Sequence, residues 1–220
     1  MSIEASPPSE RTQVRRLPER GRYDRETVDS ILDEGLFCHV AYIVDDQPRV
    51  IPTIHARVGD TLYFHGSQAS RTLRSVREGT EVCVAVTILD GLVVARSGFH
   101  SSMNYRSVVV FGRAREVTDP DEKLAAQDAL VEHVIPGRSA DVRPPTEAEL
   151  NQTMLVAIPL DEASAKVRTG PPKDDPEDYE LPIWAGVLPL KLESQPPVAD
   201  PKLLSGLETP ENLRRYRRPT

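Results

Sequence analysis

Apolar and polar positions alternate along this chain with two distinct periods. In "YDRETVDSILDEG", Val28, Ile31 and Leu32 recur at helical spacing behind the cap candidate Asp24, and Gly35 supplies a stop, which predicts a short amphipathic helix. From Leu36 the pattern becomes β-rich. "LFCHVAYIVDDQPRVIPTIHARVGDTLYFH" reads as three antiparallel strands joined at "DDQP" and "VGD". A short helix in "ASRTLRSVREG" leads to the apolar run "EVCVAVTIL", expected to be a buried strand. "LVVARS" and "YRSVVVFGRAREV" follow as a further strand pair, with Gly112 marking a bulge or a close backbone approach.

"TDPDEKLAAQDALVEHVIPG" is the clearest helix, with Thr118 and Asp119 at its start, Pro120 in the first turn and Leu124, Leu130, Val131 and Val134 as its apolar positions. "TEAELNQ" is a second short helix, "TMLVAIPL" and "SAKVRT" return as strands, and the segment from Gly170 onward is proline-rich loop. Short strands linked by hairpins, with helices at the margins, describe a mainly β protein: a small antiparallel barrel with peripheral helices. Alternating β and α units are absent, as are GxGxxG and GxxxxGK[ST], which excludes a Rossmann-type reading.

Composition narrows the function. The 220 residues carry a net charge of −7, so no overall positive field draws in nucleic acid or an anionic membrane. The arginine-rich ends "RTQVRR" and "RRYRRP" read as solvated tails. Cys38 and Cys83 lie in apolar runs without metal spacing, no apolar stretch reaches the roughly 18 residues of a membrane span, and no secretory signal is visible, so a cytoplasmic protein is expected. GxSxG, HExxH and CxxC are absent and the histidines are isolated, so hydrolase and metalloenzyme readings recede and no metal site is expected.

One stretch stands out. "YFHGSQASRTLRSV" places Ser67, Gln68, Ser70, Arg71, Thr72 and Arg74 on a strand-to-helix turn, where free N–H groups, hydroxyls and guanidinium forks suit a phosphate; a plain cap at Ser70 with solvated arginines is the alternative.

"LYFHGSQASRTLRSVREGTEVCVAV" followed by "YRSVVVFGRAREVTDPDEK" resembles the pyridoxamine 5′-phosphate oxidase-like, FMN-binding split-barrel family, and within it the flavin-nucleotide-binding branch that includes nitroimidazole-resistance reductases. "GRSADVRPPTEAEL", "SAKVRTGPP" and "WAGVLPL" extend the likeness over residues 23–189. The resemblance implies a six-stranded split barrel spanning residues 23–170, between a polar arm (1–22) and a proline-rich arm (171–220). It also implies a homodimer with FMN at the subunit interface, and NAD(P)H-dependent reduction of a small, nitroaromatic-type acceptor.

Matched position by position, Ser70 and Arg71 correspond to phosphate contacts, Thr72 stands where related oxidases carry a lysine, and Arg74 lies one helical step further. His65 matches a histidine close to the flavin, as active partner or as wall. Pro52, Thr53 and Ile54 offer backbone groups to the isoalloxazine edge. Tyr105 and Arg106 fall near the cofactor at the subunit contact or pair structurally, and Lys166 and Arg168 aim two cations one way or protect a strand edge. Trp184 packs near the pocket, the dimer seam or the core. Two readings stay beside FMN reduction: a flavin- or haem-binding module without turnover, with His65 or His100 as axial ligand, and a deazaflavin enzyme. Pyridoxamine phosphate oxidation is disfavoured, because "LSGLETPENLRRYRRPT" lacks the C-terminal arginine and histidine motif.

Overall fold

A computed structural model describes residues 5–76 and 78–217, with the side chains of Arg71, Thr72, Arg74 and Glu78 outside the described set. Helix α1 (Arg25–Glu34) forms where its capping residues dictate: the Asp24 carboxylate accepts the Thr27 N–H at 2.8 Å, and Gly35 closes the last turn on the Ile31 carbonyl. Val28, Ile31 and Leu32 are the buried face. Strands β2 (Phe37–Val44) and β3 (Gln47–Val58) meet in a two-residue turn with Asp45 and Asp46 both at positive φ, the geometry that matches strand twist. β4 (Thr61–Ser67) follows, then the short α2 (Arg71–Val76).

β5 (Glu78–Val94) is one long strand where the sequence suggested two. A register irregularity lies between Leu89 and Gly91 without ending the strand, and β9 approaches there closely enough that a Cβ at Gly91 would stand 3.0 Å from the Leu188 carbonyl. β6 (Ser102–Glu116) carries Gly112 at a close approach, where a Cβ would meet Ile158 at 2.7 Å. α3 (Pro120–Val134) starts on Asp119, whose carboxylate accepts the Glu122 N–H; its Leu124 is exposed rather than core-facing. α4 (Glu147–Gln152), β7 (Thr153–Pro159) and β8 (Glu162–Arg168) complete the body.

Pairing runs β2–β3–β4–β7–β6–β5 and back to β2, a closed antiparallel ring of six strands. That is the barrel expected from the resemblance. Among the described residues three strands lie outside the ring: β8 on the middle of β6, β1 (Gly21–Arg22) on β8, and β9 (Gly186–Pro189) on β5. The barrel interior is a single cluster of Leu62, Phe64, Val84, Val108, Val110, Met154, Val156 and Ile158, with α1 set into it. A second cluster forms on the outside, where α3 lays Ala126 and Leu130 over Ala56, Tyr63, Leu155 and Ala157.

The arms are tied down. Arg11 reaches Glu81 and Glu162 and lies over the Phe111 ring, Thr12 is buried, and Lys166 donates to the Arg16 carbonyl at 3.1 Å, so the first arm is not the solvated tail its composition suggested. The second arm is anchored by Asp174, which accepts the Arg96 backbone N–H at 2.9 Å and its guanidinium at 3.0 Å. Beyond β9 the chain forms α5 (Glu211–Arg214), and the Tyr216 hydroxyl donates to the Val134 carbonyl at the end of α3. No helix among the described residues is long and apolar enough to cross a membrane.

Candidate functional site: a cavity beneath helix α3

Alternation along β4 sends Leu62 and Phe64 into the barrel and Tyr63 and His65 to its outer face. α3 covers that face. Between them lies a cavity of about 370 Å3 walled by Ile54, Leu130, Val131, Val134 and Ile135, with His65, Gln127, Arg138 and Thr153 as its polar members. His65 Nδ1 and Gln127 Oε1 are both buried and without a hydrogen-bond partner among the described residues. Burial pushes the His65 pKa below its ordinary 6.5, so the imidazole is neutral near pH 7. An apolar slot holding two unsatisfied polar atoms fits a flat ring with one apolar and one hydrogen-bonding end.

Thr153, on the rim, pairs in register with Ser67. The Ser67–Ser70 turn therefore leaves the sheet beside the cavity mouth. Ser70 caps α2, its hydroxyl accepting the Leu73 N–H at 3.4 Å, while its own N–H donates to the Ser67 carbonyl at 2.8 Å. The Arg71 and Arg74 side chains lie outside the described residues.

Relatives define the family. The family model for pyridoxamine 5′-phosphate oxidase matches residues 24–167. This chain belongs to that family. No curated protein sequence matches it. Among solved structures, the flavocytochrome Anf3 from Azotobacter vinelandii is similar at 41% identity and TM-score 0.91, over 97% of this chain and 99% of the other. A FAD- and haem-binding protein from Mycobacterium smegmatis is similar at 40% identity and TM-score 0.85, over 89% of this chain and 96% of that one. A candidate 5-nitroimidazole antibiotic resistance protein from Bacteroides thetaiotaomicron shares the fold, with 21% identity and TM-score 0.55 over 67% of this chain and 86% of its own.

The expected site residues scatter into several settings. Ile54 and His65 line the cavity. Pro52 is exposed on the same face of β3, and Thr53 points the other way, its hydroxyl donating to the Ile54 carbonyl at 3.3 Å. His55 is fully buried, Nε2–H donating to the Leu32 carbonyl at 2.9 Å, with the His133 ring 4.8 Å away. Arg106 is gripped by Glu34 of α1 and Asp90 of β5, and these carboxylates push its pKa up. Tyr105 lies beside Arg168 in the β6–β8 register. Lys166 holds the first arm, and Arg168 belongs to a second cavity. Trp184 is 69% exposed and folds its ring over Gly186, where a Cβ would lie 3.0 Å from it.

Gln127 and Arg138 were not anticipated, since α3 carries no motif and its packing over β4 is set by contacts far apart in sequence. The thiols offer no competing chemistry: burial pushes Cys38 up to about 12, far from a reactive thiolate.

Proposed function

We propose that this protein is a flavin-dependent oxidoreductase that also carries a haem. What supports the reading most is likeness over nearly the whole chain to a flavocytochrome, joined to a cavity whose buried His65 and Gln127 atoms lack partners among the described residues. A bound flavin supplies two-electron acceptance from a reduced nicotinamide and release of those electrons to a small acceptor. The protein's own residues position and insulate. Leu130, Val131 and Val134 would exclude water from a bound ring, and His65 and Gln127 would offer it hydrogen-bonding groups. Ser70 and Arg71, matched to the family's phosphate contacts, would be the residues that bind the flavin phosphate.

FMN and FAD share the ring and first phosphate, so the cavity suits either; the Mycobacterium relative favours FAD over the FMN expected from sequence. Nitroaromatic acceptors remain the reading suggested by the branch resemblance. The free thiols fit a reducing cytoplasm.

A second copy of the chain completes the site in this proposal. Paired residues of an antiparallel ladder face the same way, so Phe37, Ile43, Val50 and Pro52 form one outward stripe on β2 and β3 that runs into the cavity wall at Ile54. Val50 is 61% and Ile43 66% exposed, an apolar face suited to a homodimer seam.

The test is an absorbance spectrum of the purified protein before and after adding FMN or FAD, with mass spectrometry of what heat releases. A flavin band bleached by NADH or NADPH, beside a Soret band, is expected. No uptake of either flavin overturns the assignment.

A further inference from the structure

A second cavity, about 580 Å3, lies between the first arm, residues 99–102 and the end of β8, and shares no lining residue with the cavity under α3. Its charge is lopsided. Arg16, Arg20 and Arg22 reach it from the arm, Arg168 from β8 and Lys173 from the loop beyond, against the carboxylate of Glu19. Glu19 stands 4.0 Å from Arg20, and Arg22 is turned onto the backbone carbonyls of Glu19 and Gly21. Asp174 and Asp175, which follow Lys173, are committed elsewhere, to Arg96 and His100.

Arg168 carries the inference. It is only 8% exposed, yet its guanidinium meets no carboxylate among the described residues; it donates to the side-chain oxygen of Asn104, whose amide is oriented by donation to the Gly170 carbonyl at 3.1 Å. Burial and the neighbouring charge of Arg20 push its pKa down. A cation so far from water needs a counter-charge, and here a neutral amide and a second cation stand in its place. Arg106, on the adjoining strand, shows the contrasting case with two carboxylates of its own.

The arm brings that second cation. Pairing of Gly21 with Lys166 lays the arm along β8, and Leu17, at a φ of 57° that a branched side chain rarely adopts, opens the tight helical turn Pro18–Arg20. Like charges set side by side repel unless an anion joins them. Guanidinium forks match phosphate oxygens two at a time, and several forks converging on one roomy cavity suit a ligand with more than one negative charge. Phe99, 90% exposed at the mouth and packed edge-to-face with His100, leaves an aromatic face open there.

We propose that this cleft binds a diphosphate-bearing anion, clamped between Arg168 and Arg20, so that the bound charge fastens the first arm to β8. The site goes beyond the flavin reading and shares none of that cavity's residues.

The experiment is isothermal titration of pyrophosphate and of ADP into the full-length protein at fixed ionic strength, with FMN and FAD affinities measured beside it. Pyrophosphate is expected to bind once per chain. Arg168→Gln and Arg20→Gln should each weaken it about tenfold or more, as loss of a charge-assisted contact implies. Arg214→Gln, the same change of charge on the second arm, should leave it unchanged. Circular dichroism checks the fold, and Arg20→Gln, on the arm, stays informative if Arg168→Gln fails to fold. For a nucleotide-borne diphosphate, ADP binds more tightly than pyrophosphate and Phe99→Ala removes the margin; for free diphosphate the two bind alike and Phe99→Ala changes neither.

No saturable binding of either probe overturns the proposal, as do equal losses in Arg214→Gln or citrate binding as tightly as pyrophosphate. Weakened FAD with unchanged FMN affinity in Arg168→Gln would give the cleft to the flavin's adenylate and overturn it as a separate site. Pyrophosphate binding in a wild-type protein that takes up no flavin refutes the flavin reading alone.

Discussion

The cavity under α3 and the cleft beside the first arm each present one histidine, in opposite electrostatic states. His65 sits among aliphatic walls and burial drives its pKa down; His100 is drawn up by its hydrogen bond to Asp175, in a cleft where four arginines and a lysine outnumber the carboxylate of Glu19. The first region is shaped by packing and asks for a neutral ring, and the second is shaped by charge and asks for an anion. In one, the unsatisfied groups are polar atoms within an apolar slot; in the other, the unsatisfied group is the buried charge of Arg168. One barrel thus carries two cavities of different character, because helix packing builds one and an extended arm the other.

Perturbing the packed region should produce the largest effect. Leu130 belongs both to the outer cluster and to the cavity wall, so Leu130→Ala should cost about 2–4 kcal/mol in urea unfolding and weaken flavin binding with it. A loss under about 1 kcal/mol would mean that α3 is not held by this contact.

Charge should behave differently in the two settings that contain it. Arg106→Met strands Glu34 and Asp90, a partly exposed pair of ion contacts, and should cost about 1–3 kcal/mol. Arg168→Met removes a cation with no carboxylate partner among the described residues and should change the stability of the cofactor-free protein by less than about 1 kcal/mol, in either direction. Equal losses at the two positions would erase the contrast.

The smallest effect is the sharpest in sign. In the cofactor-free protein, NMR titration should place the His65 ring below 6.5 and that of His100 above it. The folded protein resists protonating His65, so that residue's share of stability is present above pH 6.5 and is lost as pH falls through its folded value. For His100 the raised value reverses the direction: its share is present below pH 6.5 and is lost as pH rises through the folded value. Matching titrations would break the comparison.

Elements with local signals were legible in the chain itself. Asp24 and Gly35 bound α1 because capping depends on residues within a turn, and Gly112 announced the close approach of Ile158. β1 and β9 were not legible, since strands of two and four residues carry no period and pair with partners distant in sequence. β5 looked broken at Asp90–Gly91 because a bulge and a turn use the same residue types. The first arm looked solvated for a related reason: Arg11 finds its carboxylates 70 and 151 residues away. Within the sites, His65 and Arg168 were visible as residues, whereas the α3 wall and the arginines of the arm acquired meaning only when the fold brought them together.

The central claim is that the flavin ring lies beneath α3. Fluorescence titration of FMN and FAD into wild-type protein and into Val131→Trp, with circular dichroism as the fold control and Arg20→Gln as the control in the other cleft, tests it directly. The account predicts that the tryptophan fills the cavity and lowers affinity for both flavins by about a hundredfold or more, while Arg20→Gln leaves FMN affinity unchanged. Wild-type flavin affinity in a folded Val131→Trp protein would contradict it.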